Sequence, residues 1–330
     1  MIISVIVDPT IMDSQSFDLV NGYRFNVNAL FDGLSSNGVL IVDSSGCLLK
    51  QLKTAIETLE IKYRQGLLIR LEELVKNKRK RIIKVNSETA KNNIMSIMSK
   101  LNELYEIDAV CVSEATFTKI VEKRNGASNL LKISSYLDSD LEQKRRLYLS
   151  GLPPLHQLDL REAEDYLKRS IQYTKWIRFY DKQIGKANNL TGFQRGLEYI
   201  LDLWKTYGIF SNEKAQIEII TANSRFIDYN RQDVATRIEI NKKKIKKIQN
   251  GLIKPLQDKY RDWDIVLRVK NVEPSFFHAR YLEAQFLILS FDRGFDFLNE
   301  DNTFKECSVN IRNGDFMHIS ELRRMADFTI

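Results

Sequence analysis

Apolar residues along the chain follow two alternating patterns. Short unbroken runs rich in β-branched residues, IISVIVD (2–8) and VLIVDSSG (39–46), each close on an acid. A buried parallel strand reads this way, and it would carry Asp8 and Asp43 to the carboxyl edge of a sheet. Between Leu48 and Lys84, Leu67, Leu68, Leu71, Leu74 and Val75 recur at helical spacing and predict a long amphipathic helical stretch. A further helix over about Ser87 to Leu104 leads into DAVCVSEAT (108–116), a third strand with Asp108 beside it and its end near Glu114.

The pattern breaks at LYLSGLPPLHQLDL (147–160), where Gly151, Pro153 and Pro154 oppose regular structure and mark a domain boundary. Asp159 then caps a helix over DLREAEDYLKRSIQY (159–173). Next come the strand WIRFYD (176–181), the apolar helix FQRGLEYILDLW (193–204) and the strand IEIITA (217–222). A lysine-rich helix follows, with Ile238, Ile245, Ile248 and Leu252 on one face, and then the strand DIVLRVK (264–270). FFHARYLEAQFLILSFD (276–292) supplies one or two more strands. Strands alternating with helices predict an α/β protein of two domains, each a mainly parallel sheet flanked by helices. The first domain is expected over 1–150, a linker and capping helix over 151–170, and the second domain over 171–330.

Length and composition agree with this: 330 residues, 43% hydrophobic and 28% charged, suffice for two cores. No run approaches the roughly 20 apolar residues of a membrane span, and the opening residues lack a secretory signal, so a cytoplasmic protein is expected. Cys47, Cys111 and Cys307 lie far apart and fit no metal or disulfide spacing, which predicts reduced, buried thiols. The net charge is +7, and the cations cluster at Lys78–Arg81, Lys144–Arg146 and Lys242–Lys247. Adjacent cations on one surface hold phosphates, although a solvated helix face reads the same way.

Candidate chemistry comes from three places. His278 and Arg280 are two apart, so on a strand they face one side and can act on one phosphate, imidazole as nucleophile and guanidinium as charge stabiliser. Asp292-Arg293-Gly294-Phe295-Asp296-Phe297 follows the next strand, and Arg293 joins the phosphate-binding candidates. This order of elements over about Ile171 to Leu298 resembles the phospholipase-D-like domain that follows microtubule-interacting-and-trafficking modules, and its bacterial relatives. Arg280 stands where the catalytic pattern of phospholipase D has Lys, Gln285 stands at its Asp position, and there is no second copy. The resemblance therefore implies either a half-site completed across a homodimer of the second domain or a non-catalytic phosphate or anionic-surface site.

The second candidate is the set of strand-edge acids. Carboxylates gathered at the carboxyl edge of a parallel sheet can hold Mg²⁺ or Mn²⁺, with Asp8, Asp108 and Glu114 as ligands and Asp43 beside them. The order VIVD, LIVDSSGCLLK, DAVCVSEATF is similar to PIN-like nuclease domains of bacterial toxins and defence proteins, which implies metal-dependent phosphodiester cleavage and a partner from the same defence system. Such acids equally serve as turn formers and helix caps. Walker, dinucleotide-binding, zincin and serine-hydrolase motifs are absent from the sequence.

The third candidate is the segment Lys242–Lys254, with six lysines and no acid. Lys242, Lys243, Lys244, Lys246 and Lys247 can face a phosphate backbone, which makes nucleic acid the expected partner. Two functions stay open on these grounds: a metal-dependent nuclease, or a recognition and assembly module that binds nucleic acid, phosphate or a membrane surface without cleaving.

Overall fold

The computed structural model describes residues 2–20, 22–76, 81–86, 94–123, 129–151, 153–184, 190–212, 214–222, 234–272, 276–277 and 279–328. The chain forms two compact units, Ile2–Leu149 and Ser150–Ile330.

In the first unit the elements run β1 (Ile3–Val7), α1 (Ser14–Leu19), α2 (Tyr23–Asn37), β2 (Gly38–Asp43), α3 (Cys47–Glu57), α4 (Ile61–Lys76), β3 (Ile82–Val85), α5 (Ile94–Leu104), β4 (Ala109–Val112), α6 (Glu114–Lys123), β5 (Leu130–Lys132) and α7 (Asp140–Ser150). The five strands are parallel in the order β3-β2-β1-β4-β5. Every residue of β1, β2 and β4 is buried, which explains their unbroken apolar runs: helices cover both faces of a parallel sheet. The long helical stretch expected over Leu48 to Lys84 is broken. Two helices occupy its first part, and Lys84 lies on the edge strand β3, whose half-exposed pattern hides it among helical periodicities.

The second unit runs α8 (Leu160–Ile171), β6 (Trp176–Tyr180), α9 (Thr191–Tyr207), β7 (Gln216–Ala222), α10 (Val234–Ile248), a wide π turn (Gln249–Ile253), α11 (Lys254–Lys259), β8 (Asp264–Lys270), β9 (Arg280–Ala284), β10 (Ile288–Phe291), β11 (Val309–Ile311) and α12 (Phe316–Arg324). Asp159 starts α8 with a full capping box: its carboxylate accepts from the Glu162 N–H at 2.8 Å, and the Glu162 carboxylate accepts from the Asp159 N–H at 3.4 Å. The sheet order is β11-β10-β9-β6-β7-β8. Only β6, β7 and β8 are parallel; β9, β10 and β11 join as an antiparallel meander. The sheet is thus mixed, and the expectation of a mainly parallel second sheet is corrected: three residues join β9 to β10, and the longer segment 292–308 between β10 and β11 carries no crossover helix to make them parallel.

One face of this sheet is apolar, with Ile177, Phe179, Ile217, Ile219 and Leu282 fully buried. The other face carries an ion ladder across neighbouring strands. Glu218 takes Arg268 and Arg178, while Glu283 takes Arg178 and Arg323 at 3.6 Å each and the Tyr180 hydroxyl at 2.8 Å. Ile319 and Leu322 of α12 bury against Tyr180, Ile220 and Tyr281 at the carboxyl end of the same face.

Candidate functional site

The doubly wound first sheet reverses direction between β1 and β4, where ligands of open α/β sheets bind. Asp8 follows β1 at this point and is 1% exposed. Its two carboxylate oxygens accept from the Thr10 N–H at 3.0 Å and the Thr10 hydroxyl at 2.6 Å. The Thr10 oxygen lies 3.0 Å from both the Ser113 and the Thr116 hydroxyls, so the β1–β4 crevice is lined by hydroxyl groups tied to one acid.

Asp43 ends β2 and binds the start of α3. Its carboxylate accepts from the Cys47 N–H at 3.0 Å, the Leu48 N–H at 2.8 Å and the Ser45 hydroxyl. Burial raises its pKa, but these donors outweigh burial and hold it below the usual range. Glu114 opens α6, is exposed, and accepts from the Ser134 hydroxyl. Asp108 sits at the other edge. It precedes β4 and accepts from the Ser4 N–H at 2.8 Å and the Ser4 hydroxyl at 3.0 Å. Ser4 lies four residues upstream of Asp8 on β1, about 13 Å at a strand's rise. The expected grouping of Asp108 with Asp8 and Glu114 is therefore corrected: β4 runs away from its acid, whereas β1 and β2 run toward theirs.

Asp8 and Glu114 do share a neighbourhood with an acid not predicted, Asp13. The Tyr23 hydroxyl donates to the Ile11 carbonyl at 2.9 Å; burial pushes its pKa well up, and the fields of Glu114, Asp13 and Asp8 add to the effect. Among the described residues, however, no three His, Cys, Asp or Glu side chains come together closely enough to hold a metal. Each carboxylate is committed to nearby N–H or O–H donors, as turn formers and caps are. Among the described residues the Mg²⁺ or Mn²⁺ reading therefore finds no ready ligand set.

An open cleft of ≈ 740 Å³ lies at this edge, lined among others by Thr10, Met12, Asp13, Cys47, Lys50 and Gln51. Cys111 and Cys307 are fully buried as expected, but the expectation is corrected for Cys47, which is half-buried here with Gln51 Nε2 3.7 Å from its sulfur. All three thiols are free.

In the second unit His278 lies outside the described residues. Arg280 begins β9, half-buried, and Nη1 donates to the Asp292 carbonyl at 2.6 Å. The Arg-Gly-Phe-Asp-Phe segment behind it is a packing device. Gly294, at φ +80°, closes over the fully buried Asp181, whose Oδ2 accepts from the Phe295 N–H at 3.3 Å. The Phe295 ring meets Phe179 edge-on at 5.0 Å, and Asp296 pairs with Lys305 at 2.7 Å. Gly192 and Gly196 of α9 let the helix touch Asp296 and Phe295 directly. Arg293 is exposed and makes no ion pair among the described residues.

Of the first two basic clusters, residues 78–80 lie outside the described set, and Arg81, Arg145 and Arg146 are tied to structural partners. Arg81 is buried and donates to the carbonyls of Ser36 at 2.9 Å and Gly38 at 3.3 Å, satisfying the end of α2. Arg145 and Arg146 bind the buried Glu142 at 2.6 and 2.8 Å. The third is different. Ile245, Ile248, Leu252 and Ile253 bury one side of α10 and its π turn, while Lys242, Lys243, Lys246 and Lys247 are exposed. None of these four, nor Lys254, makes an ion pair or hydrogen bond to a described residue. The side chain of Lys244 lies outside the described set, and Ile238, expected on the buried face, is 41% exposed. Elsewhere cations do find acids, as Lys259 does with Glu198 and Asp202 at 2.9 Å each.

Known protein families, curated proteins and solved structures yield no match to this chain. No helix among the described residues is long and apolar enough to cross a membrane.

Proposed function

We propose that the protein recognises nucleic acid through α10 of its second unit. One observation carries this reading: four exposed lysines occupy six consecutive positions of one helix, and none of them forms an ion pair with a described acid, Glu239 of the same helix included. Holding like charges together on a helix is unfavourable by a few tenths of a kcal/mol per neighbouring pair. A polyanion relieves that repulsion and gains entropy from counterion release. Arg293, exposed and in no ion pair with a described residue, adds a further cation to the same unit.

Phosphodiester cleavage by the first unit is the competing reading. It is favoured by Asp8, Asp13 and Glu114 flanking one sheet edge, and opposed by the commitment of those carboxylates to N–H and O–H donors, Thr10 for Asp8, Ser16 for Asp13 and Ser134 for Glu114. Incubation with labelled RNA and DNA, in Mn²⁺ or EDTA, separates the two. Salt-sensitive binding without cleavage supports recognition. Metal-dependent cleavage lost in Asp8→Ala would overturn a purely recognising role.

A further inference from the structure

Resting on that reading, we infer that the lysine face of α10 is built for the backbone of a duplex, without regard to base sequence. The four described lysines form two rows, Lys242 with Lys246 and Lys243 with Lys247. Within each row the side chains stand one turn apart, about 6 Å along the axis. The rows lie side by side on a convex surface opposite the buried Ile245 and Ile248. Two rows of point charges on a convex rod match a surface that presents phosphates on both sides of a groove. Duplex DNA carries about one charge per 1.7 Å of axis, twice the density of a single strand.

The chemistry of the face also argues against the other anionic targets. Binding a single strand without sequence preference relies on aromatic side chains that stack on bases, and Lys242–Lys254 contains none. Base readout relies mostly on forked or bidentate groups such as Arg, Asn and Gln; the exposed described positions from Lys242 to Lys254 offer one amide, Asn250, against five ammonium groups, which are compact and non-directional. Insertion into an anionic membrane requires several bulky apolar groups flanking the cations; the exposed described positions from Lys242 to Lys254 are Lys, Asn and Gly, and Ile238, one turn before Lys242, is a single exposed apolar neighbour. Lys254 extends the charged surface past the π turn, one helical segment further along the same rod.

The test is fluorescence anisotropy on the full chain with a short random-sequence DNA duplex, the matching RNA duplex, each single strand, and vesicles rich in anionic lipid. Salt is titrated from about 50 to 200 mM. Both duplexes should bind at least about tenfold tighter than either single strand, with scrambled sequences equal to within about twofold. Four phosphate contacts give a slope of log K against log salt of about −3.6 for a duplex. Each single Lys→Gln change at 242, 243, 246 or 247 should flatten the slope by about 0.9, and Lys→Arg should leave it intact. The four-fold Lys→Gln variant should lose binding while keeping its circular dichroism and melting temperature, because these side chains are exposed.

Single strands bound as tightly as duplexes through the same lysines would overturn the duplex assignment and leave nucleic-acid recognition standing. Capture by anionic vesicles with no duplex binding would overturn both. So would duplex binding unchanged in the four-fold variant.

Discussion

Gly196 of α9 faces the carbonyl oxygen of Phe295 so closely that a Cβ at residue 196 would overlap it. Close approach is what lets Phe295 and Phe297 enter the core beneath the helix, and the obstructing atom is backbone, which yields least. Gly196→Ala should destabilise the second unit by about 1–3 kcal/mol, the usual cost of overpacking. Denaturant unfolding checks this, and Lys205→Ala, on the exposed side of the same helix, serves as control.

Two acids of the first unit, Asp43 at the end of β2 and Glu142 on α7, predict acid lability with a definite sign. Asp43 and Glu142 are both held below their ordinary values of 3.8 and 4.5, because hydrogen bonds from Ser45, Leu48 and Cys47, and from Arg145 and Arg146, outweigh burial. A depressed folded-state pKa contributes stability that is full above the ordinary value and is lost as pH falls through the folded one. The unfolding free energy should therefore be flat at neutral pH and drop below about pH 4.5. Asp43→Asn and Glu142→Gln should each shrink that drop.

At neutral pH the same two residues differ in weight. Asp43→Ala removes the acceptor from the first turn of α3 and should cost about 1 kcal/mol. Glu142→Ala leaves Arg145 partly buried without its partner and should cost about 3–5 kcal/mol. Thermal melts that ranked them the other way would contradict the burial of Glu142.

Metal addition should leave the melting temperature unchanged, since Asp8, Asp43, Asp108 and Glu114 each spend their oxygens on neighbouring donors. A rise on titration with Mn²⁺ that disappears in Asp8→Ala would restore the cleavage reading.

Thiol labelling should count one cysteine in the native protein and three in denaturant. Burial pushes Cys111 and Cys307 up to about 12, so neither supplies thiolate at neutral pH, whereas Cys47 opens onto the cleft beside α3. Mass spectrometry after brief alkylation identifies the site.

Much of this architecture was readable from sequence wherever one physical constraint dominated. Runs such as ISVIV and GVLIVD are apolar because both sheet faces are covered, and the capping box at Asp159 and Glu162 is a local hydrogen-bond pattern. The misplacement of Asp108 has an equally local cause. An acid before AVCV and an acid after VIV look alike unless strand direction is weighed, yet they stand at opposite edges of a parallel sheet. Edge strands β3 and β5 were hidden because three or four half-exposed residues carry no distinct period. The Arg-Gly-Phe-Asp-Phe segment shows another limit: its glycine and aromatics answer to Asp181, Gly192 and Gly196, distant residues whose demands no local pattern reveals.

The central place of β1 bears on how the protein is made. Ser4 on β1 meets Asp108 across 104 residues, so one whole side of the strand has no partner until β4 has left the ribosome. At about 5–20 residues per second that wait lasts roughly 5–20 s. During it, ISVIV can present an open, uncharged edge to other nascent chains. Soluble yield should then track the rate at which translation reaches residue 112 more closely than it tracks the melting temperature of the finished protein.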